Sequence, residues 1–265
     1  MLSGTSLVFD IETVPDVDLG RRLHNLDSLN DDDVARAMRT LRIQKTGRTD
    51  FLAHPHHRIV AISAVLRSPE KLLVWSLGSE ESTERELLER FFDGIERFRP
   101  VLISWNGSGF DLPVIHYRAL RHGVAAPIYW ESGESDRDFK FNNYLNRYHA
   151  RHLDLMDMLA GYQPRAFSSL EEVAIMLGLP GKMGMSGARV WEYFQAGKIA
   201  DIRAYCETDV LNTFLVYLQF EKIRGLLDEA AFSMEIERLL ELLRAANAPH
   251  LKEFLKQWQG DPGGA

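Results

Sequence analysis

The chain has 265 residues, 45% hydrophobic and 26% charged, with a formal net charge of −7. That is enough for one large domain or one domain with appendages, and the acidic balance excludes a general basic field that would attract a polyanion. A single cysteine, Cys206, excludes a disulfide scaffold and a cysteine-based zinc cluster, and no stretch reaches the roughly 18 apolar residues of a membrane span. The first residues lack the basic region and apolar run of a signal peptide, so a cytoplasmic protein without membrane contact is expected.

Residues 6–12 read as a strand in which Leu7-Val8-Phe9-Asp10-Ile11-Glu12-Thr13 places two carboxylates two positions apart. A strand has period 2, so Asp10 and Glu12 share a face with Val8, while Leu7, Phe9 and Ile11 take the other. Two acids on an apolar strand are costly unless something positive compensates them, and a divalent cation is the simplest compensation. Residues 14–57 form a polar insertion, with Asp31, Asp32 and Asp33 before a short helical pattern and His54-Pro55-His56-His57 at its end. No cysteine lies near these histidines and Pro55 interrupts them, which disfavours a zinc site.

Residues 58–66 and 71–77 are strands joined by a turn with Ser68-Pro69, so the chain starts an antiparallel sheet. Residues 82–98 have helical spacing of Leu87, Leu88, Phe91, Phe92, Ile95 and Phe98, with Ser82 or Thr83 as the cap. A strand over 101–104, the turn Asn106-Gly107-Ser108-Gly109 and a helix from about Asp111 to His122 follow, which is an α/β pattern. Residues 129–150 have no clear period and read as an ordered excursion or a partly mobile loop. Helical segments are expected near 154–161, 168–177, 187–196, 199–222, 226–245 and 250–258, with a frayed tail at 259–265 and no linker to a second domain.

Further acids join the pair in β-strand 6–12. Tyr205 and Asp209 are four apart in a helical segment and so share a face. Asp111 follows a strand and a glycine-bearing turn, at a strand-to-helix crevice position. Each has a plainer reading as well: Asp111 as a helix cap, Asp209 as the partner of an arginine such as Arg203. Cys206 lies about 100° around the helix from Tyr205 and reads as core.

Three segments now form a recognisable set. Phe9-Asp10-Ile11-Glu12-Thr13, Asn106-Gly107-Ser108-Gly109-Phe110-Asp111 and Tyr205-Cys206-Glu207-Thr208-Asp209 resemble, in order and separation, the three motifs of the DnaQ-like 3′–5′ exonucleases in their tyrosine-bearing form. The chain is similar in particular to a group of exonucleases akin to the proofreading domain of family B DNA polymerases, over about residues 6–225. The resemblance implies an RNase H-like fold: a five-stranded mixed sheet flanked by helices, here with additional C-terminal helices at 226–258. It implies Asp10, Glu12, Asp111 and Asp209 as ligands of two Mg²⁺ or Mn²⁺ ions, Asp10 bridging, and Tyr205 as the residue that orients the attacking water.

It also implies a nucleic-acid 3′ end as the partner, single-stranded DNA favoured with RNA a further option, and release of nucleoside monophosphates. Around the acids, Thr13, Asn106, Phe110 and Lys182 are the candidate substrate contacts, although Phe110 beside a central strand also reads as core. Asp154 reads as a helix cap with a lesser option of support to the site. The leucine-rich helix 226–243 can pack on the body or mediate a homodimer. The alternatives are a catalytically inactive nucleic-acid-binding module, a protein-interaction scaffold, and another two-metal phosphoesterase on the same fold.

Overall fold

The computed structural model describes residues 4–260. Its five strands are β1 (Ser6–Pro15), β2 (His57–Arg67), β3 (Leu72–Ser76), β4 (Val101–Ser104) and β5 (His152–Asp154). The helices are α1 (Val17–His24), α2 (Asp31–Thr46), α3 (Glu84–Phe98), α4 (Asp111–His122), α5 (Pro127–Trp130), α6 (Leu155–Leu159), α7 (Leu170–Met176), α8 (Val190–Gln195), α9 (Ile199–Ile223), α10 (Glu229–Ala245) and α11 (Pro249–Gly260).

The strands make one mixed sheet in the order β3-β2-β1-β4-β5. β1 pairs antiparallel with β2 and parallel with β4, and β5 runs parallel to β4. The acid-bearing strand is therefore central. Its alternation sorts the core as a period of 2 requires. Leu7, Phe9 and Ile11 pack with Leu88, Phe91 and Ile115 of α3 and α4 on one face, while Val8 packs with Val210 and Phe214 of α9 on the other. α9 is buried around most of its circumference, because the sheet lies on one side and α7, α8, α10 and α11 pack against it. A helix so enclosed is apolar over most of its surface, so its polar residues stand out.

Two irregularities shape the end of β1. Glu12 pairs with Ala61 but Thr13 pairs with Ile59, so β2 carries an extra residue there. Such a bulge bends a strand and re-aims its side chains. β4 also stops at Ser104, opposite the first half of β1, and leaves the β1 edge beyond it without a strand partner.

The structure corrects some expectations and decides between alternatives in others. The insertion holds two capped helices: Asp16 accepts from the Leu19 amide at the start of α1, and Asn30 from the Asp33 amide at the start of α2. The three aspartates make up the first turn of α2, where the helix dipole favours anions. The fifth strand, implied only by the resemblance, is residues 152–154, which the helical pattern around Leu155 had absorbed. Residues 129–150 are packed: Tyr129, Phe139 and Tyr144 are buried, and Tyr129 and Tyr144 stack at 5.5 Å. Thr83 caps α3 through a reciprocal capping box with Glu86.

At the C-terminus, Leu239 and Leu243 of α10 are buried in the same core as α9. Glu235 of α10 forms a buried ion pair with Arg67 of β2, and His250 of α11 bonds Glu207 of α9 at 2.7 Å. Gln259 and Gly260 complete α11, and the rest of the expected tail, 261–265, lies outside the described residues.

Candidate active site

Asp111 is the residue that joins two of the motifs. It opens α4 but does not cap it; its Oδ1 accepts a hydrogen bond from the Ile11 amide at 3.2 Å. That amide lies between Asp10 and Glu12, on the edge of β1 that β4 leaves open. The helix start thus replaces a missing strand neighbour and sets a third carboxylate beside the first two. The fourth comes from α9, where Asp209 is buried and the Tyr205 hydroxyl interacts with its carboxylate. Arg203, the alternative partner for Asp209, instead donates to the carbonyls of Ser76, Leu77 and Gly78 at the end of β3.

The four carboxylates feel one another. The Asp10 carboxyl is pushed well above its ordinary value by burial, then by Asp111, Glu12 and Asp209. Glu12 is raised by burial, Asp209 and Asp111, and Lys182 opposes this. Burial takes Asp111 up to about 7 against the pull of its amide bonds. Burial takes Asp209 up to about 6 against Tyr205 and Lys182. The Tyr205 phenol is raised by burial, Asp209 and Glu12, so it keeps its proton and acts as a donor.

Asp10, Glu12 and Cys206 form a candidate metal-binding cluster, with potential ligand atoms within 4.8 Å of one another. Cys206 is buried as expected, yet its thiol reaches Asp10 Oδ2 at 3.5 Å. Burial and the neighbouring acids hold that thiol protonated, which makes it a weak hydrogen-bond donor to the carboxylate. The remaining donors are hard carboxylate oxygens whose nearby base among the described residues is the exposed Lys182, a set that suits a hard divalent cation.

The candidate substrate residues do not share one pocket. A cleft of about 370 Å³ opens beside Glu12 and includes Thr13 and Phe110. The Thr13 hydroxyl donates to His57 Nδ1 at 2.9 Å, while His57 Nε2 donates to the Leu52 carbonyl. His54 Nε2 donates to the Gly109 carbonyl, so two of the three clustered histidines serve the packing of the insertion. Phe110 packs edge-on against His57 at 5.0 Å and is half-buried in the cleft wall. Asn106 lies in a second cleft of about 620 Å³, which it lines with Ser108, Gly109 and Asp157. It adopts the left-handed conformation (φ 63°), and its carbonyl accepts from the Gly109 and Phe110 amides. Lys182 is exposed and within electrostatic reach of Glu12 and Asp209.

Sequence reasoning gave too little weight to Asp154. Besides capping α6, it accepts from the Asn106 amide at 2.9 Å and the Ser108 amide at 2.8 Å, so it grips the turn that delivers Asp111. Asn212 was missed. It is buried, and its amide donates to the Gly181 carbonyl at 2.9 Å, which holds the loop bearing Lys182 against α9. Its position one turn beyond Asp209 and Thr208 was the available signal.

Residues 49–258 match the family model described as "predicted 3′-5′ exonuclease related to the exonuclease domain of PolB". The chain belongs to this family of 3′–5′ exonucleases. The matched span includes Asp111, Tyr205 and Asp209; β1 precedes it, and its acids join the set through the contacts above. Among curated proteins, DNA polymerase 1 of Sulfurisphaera ohwakuensis is 51% identical over 39 residues, 15% of this chain and 4% of that one. DNA polymerase 1 of Saccharolobus solfataricus is 50% identical over 42 residues, 16% of this chain and 5% of that one. The similarity to these polymerases therefore spans a small fraction of their length. A solved family B DNA polymerase from Pyrobaculum calidifontis aligns with 95% of this chain and 27% of its own, at 15% identity and a TM-score of 0.49.

Proposed function

We propose that this protein is a metal-dependent exonuclease that removes nucleotides one at a time from the 3′ end of nucleic acid. Single-stranded or frayed DNA is the favoured substrate, and nucleoside 5′-monophosphates are the products. The observation that carries the reading is the hydrogen bond from the Ile11 amide to Asp111, which sets that carboxylate beside Asp10 and Glu12, with Asp209 close enough for its charge to raise both of their carboxyls. The polymerase relatives favour DNA over RNA as the substrate.

Asp10, Glu12, Asp111 and Asp209 would hold two Mg²⁺ or Mn²⁺ ions, which when bound stabilise charge on the attacking and leaving oxygens. The bond that forms joins a water oxygen to the terminal phosphorus, and the bond that breaks is the phosphorus–O3′ bond of the preceding nucleotide. Tyr205, beside Asp209, would orient that water by a hydrogen bond. Lys182 would meet the phosphate from the solvent side. Thr13 and Phe110 would border the terminal nucleoside in the cleft next to Glu12, and Asn106 would shape the turn behind it.

The test is digestion of 3′- and 5′-labelled DNA and RNA oligonucleotides with Mg²⁺, Mn²⁺ or EDTA. The expected result is early release of labelled monophosphate from the 3′ label, a shortening ladder from the 5′ label, and no reaction in EDTA. Internal cuts, release from the 5′ end or activity that survives EDTA would overturn the reading.

A further inference from the structure

The cleft beside Glu12 draws on the motif segments, on the insertion and, through Gly187 and Ala188, on the segment before α8. Glu12, Thr13 and Phe110 come from the motif segments, whereas Arg39 and Phe51 come from the insertion between β1 and β2. Phe51 is the unusual member. Its ring is 55% exposed although its backbone is held on both sides: the amide donates to Thr49 Oγ1 at 3.1 Å and the carbonyl accepts from Arg42 Nε at 2.9 Å. Phe110 and His57 support the ring at 5.3 and 5.2 Å. The result is an aromatic surface fixed in position and open at the mouth of a cleft that starts at a candidate catalytic carboxylate. A space of about 370 Å³ is in the range of small-ligand sites.

We propose that Phe51 is the stacking platform for the base of the 3′-terminal nucleotide; this rests on the exonuclease reading and gives the insertion a role in it. Stacking suits an enzyme that must remove every nucleotide it meets, because all bases present a π face and no hydrogen-bond code is read. Thr13 and Phe110 then border the nucleoside from the motif side, and Phe51 closes it from the insertion side. The platform depends on the aromatic ring itself and not on charge, which separates it from the phosphate contact assigned to Lys182.

The test compares wild type, Phe51→Ala and Phe51→Trp on two oligonucleotides that differ only at the 3′ terminus, one ending in a normal nucleotide and one in an abasic tetrahydrofuran residue. Phe51→Ala is expected to raise KM about tenfold on the normal end, with kcat changed less than twofold, and to raise KM less than twofold on the abasic end. Phe51→Trp is expected to restore KM on the normal end. An equal loss on both ends, or no loss on the normal end, would overturn the role of Phe51 while leaving the exonuclease reading intact. Failure of the wild-type protein to shorten either oligonucleotide would overturn both.

Discussion

Two groups of largely buried acids lie along and just beyond β1, and they are treated in opposite ways. Asp16, just after the strand, and Glu84, at the start of α3, share Arg118: its guanidinium bonds Asp16 at 2.5 Å and Glu84 at 2.5 and 2.7 Å. His122 adds a further bond to Glu84 at 2.8 Å. Burial pushes the Asp16 carboxyl up, but Arg118 and the Leu19 amide outweigh it and hold it below its ordinary value. Among the described residues no guanidinium bonds the Asp10–Glu12–Asp111–Asp209 group, and all four carboxyls are raised. The first group is completed by the chain itself and ties α1, α3 and α4 together. The second is left electrostatically incomplete, which is what a binding site for cations requires.

The sharpest way to break this contrast is Asp10→Asn. It is expected to lower kcat/KM by at least about 10³-fold on a labelled single strand, through the loss of charge stabilisation worth several kcal/mol. It should leave urea stability without metal equal to or above wild type, because one repelling charge has gone. Retained activity in a preparation free of contaminating nuclease would sink the catalytic assignment. Arg118→Met is the reverse case. It should destabilise the protein by about 3 kcal/mol in urea, since it takes the shared guanidinium from two buried carboxylates and leaves them only His122, Arg121 and backbone amides; a loss under about 1 kcal/mol would deny the network its structural role.

A pH series distinguishes the two groups by sign. Asp111 and Asp209 bind protons in the native state up to about 7 and about 6, whereas the ordinary value is 3.8. Between those limits the native state holds more protons than the unfolded chain, so their contribution to metal-free stability falls as pH rises from about 4 to about 7. Asp16 contributes the other way: its stabilisation is present above the ordinary carboxylate value and is lost as pH falls through its lowered one. In EDTA, Asp10→Asn should flatten the fall between pH 4 and 7. Mn²⁺ at about 100 times its Kd should stabilise the wild type by about 2.7 kcal/mol at pH 7.5, and the variant much less. Equal stabilisation of both proteins would place the metal elsewhere. The smallest effect is expected for Tyr205→Phe, with kcat lower by about 10–100-fold and Mn²⁺ stabilisation unchanged. A parallel loss of metal binding would show that the phenol supports the ligands and not the water.

The chain's local patterns were informative where they were long or regular. The strand with Asp10 and Glu12, the helix that starts at Asp111 and the i,i+4 placement of Tyr205 and Asp209 follow from periods of 2 and 3.6 and from the glycine-bearing turn. β5 was not legible, because three residues carry no period. In the insertion only a short helical pattern after the three aspartates was legible and α1 was not, because a small satellite core around Val34, Met38 and Leu52 is enough to hold polar helices. For the aromatic excursion an ordered segment and a partly mobile loop both stayed open, because its anchors are irregularly spaced in the chain and converge only in space.

The sequence by itself determined which side of each strand or helix the candidate site residues occupy, because this depends on dihedral periods that act within a few residues. Only the tertiary structure decided that the Ile11 amide is free to receive Asp111, 100 residues away. It alone placed the Cys206 thiol against Asp10, turned Asp154 onto the turn of Asn106, and set Phe51 at the mouth of the cleft. These outcomes depend on where β4 stops, on the bulge opposite Glu12 and on how α9 seats against the sheet. Each is settled by packing between distant segments, and no local pattern encodes it.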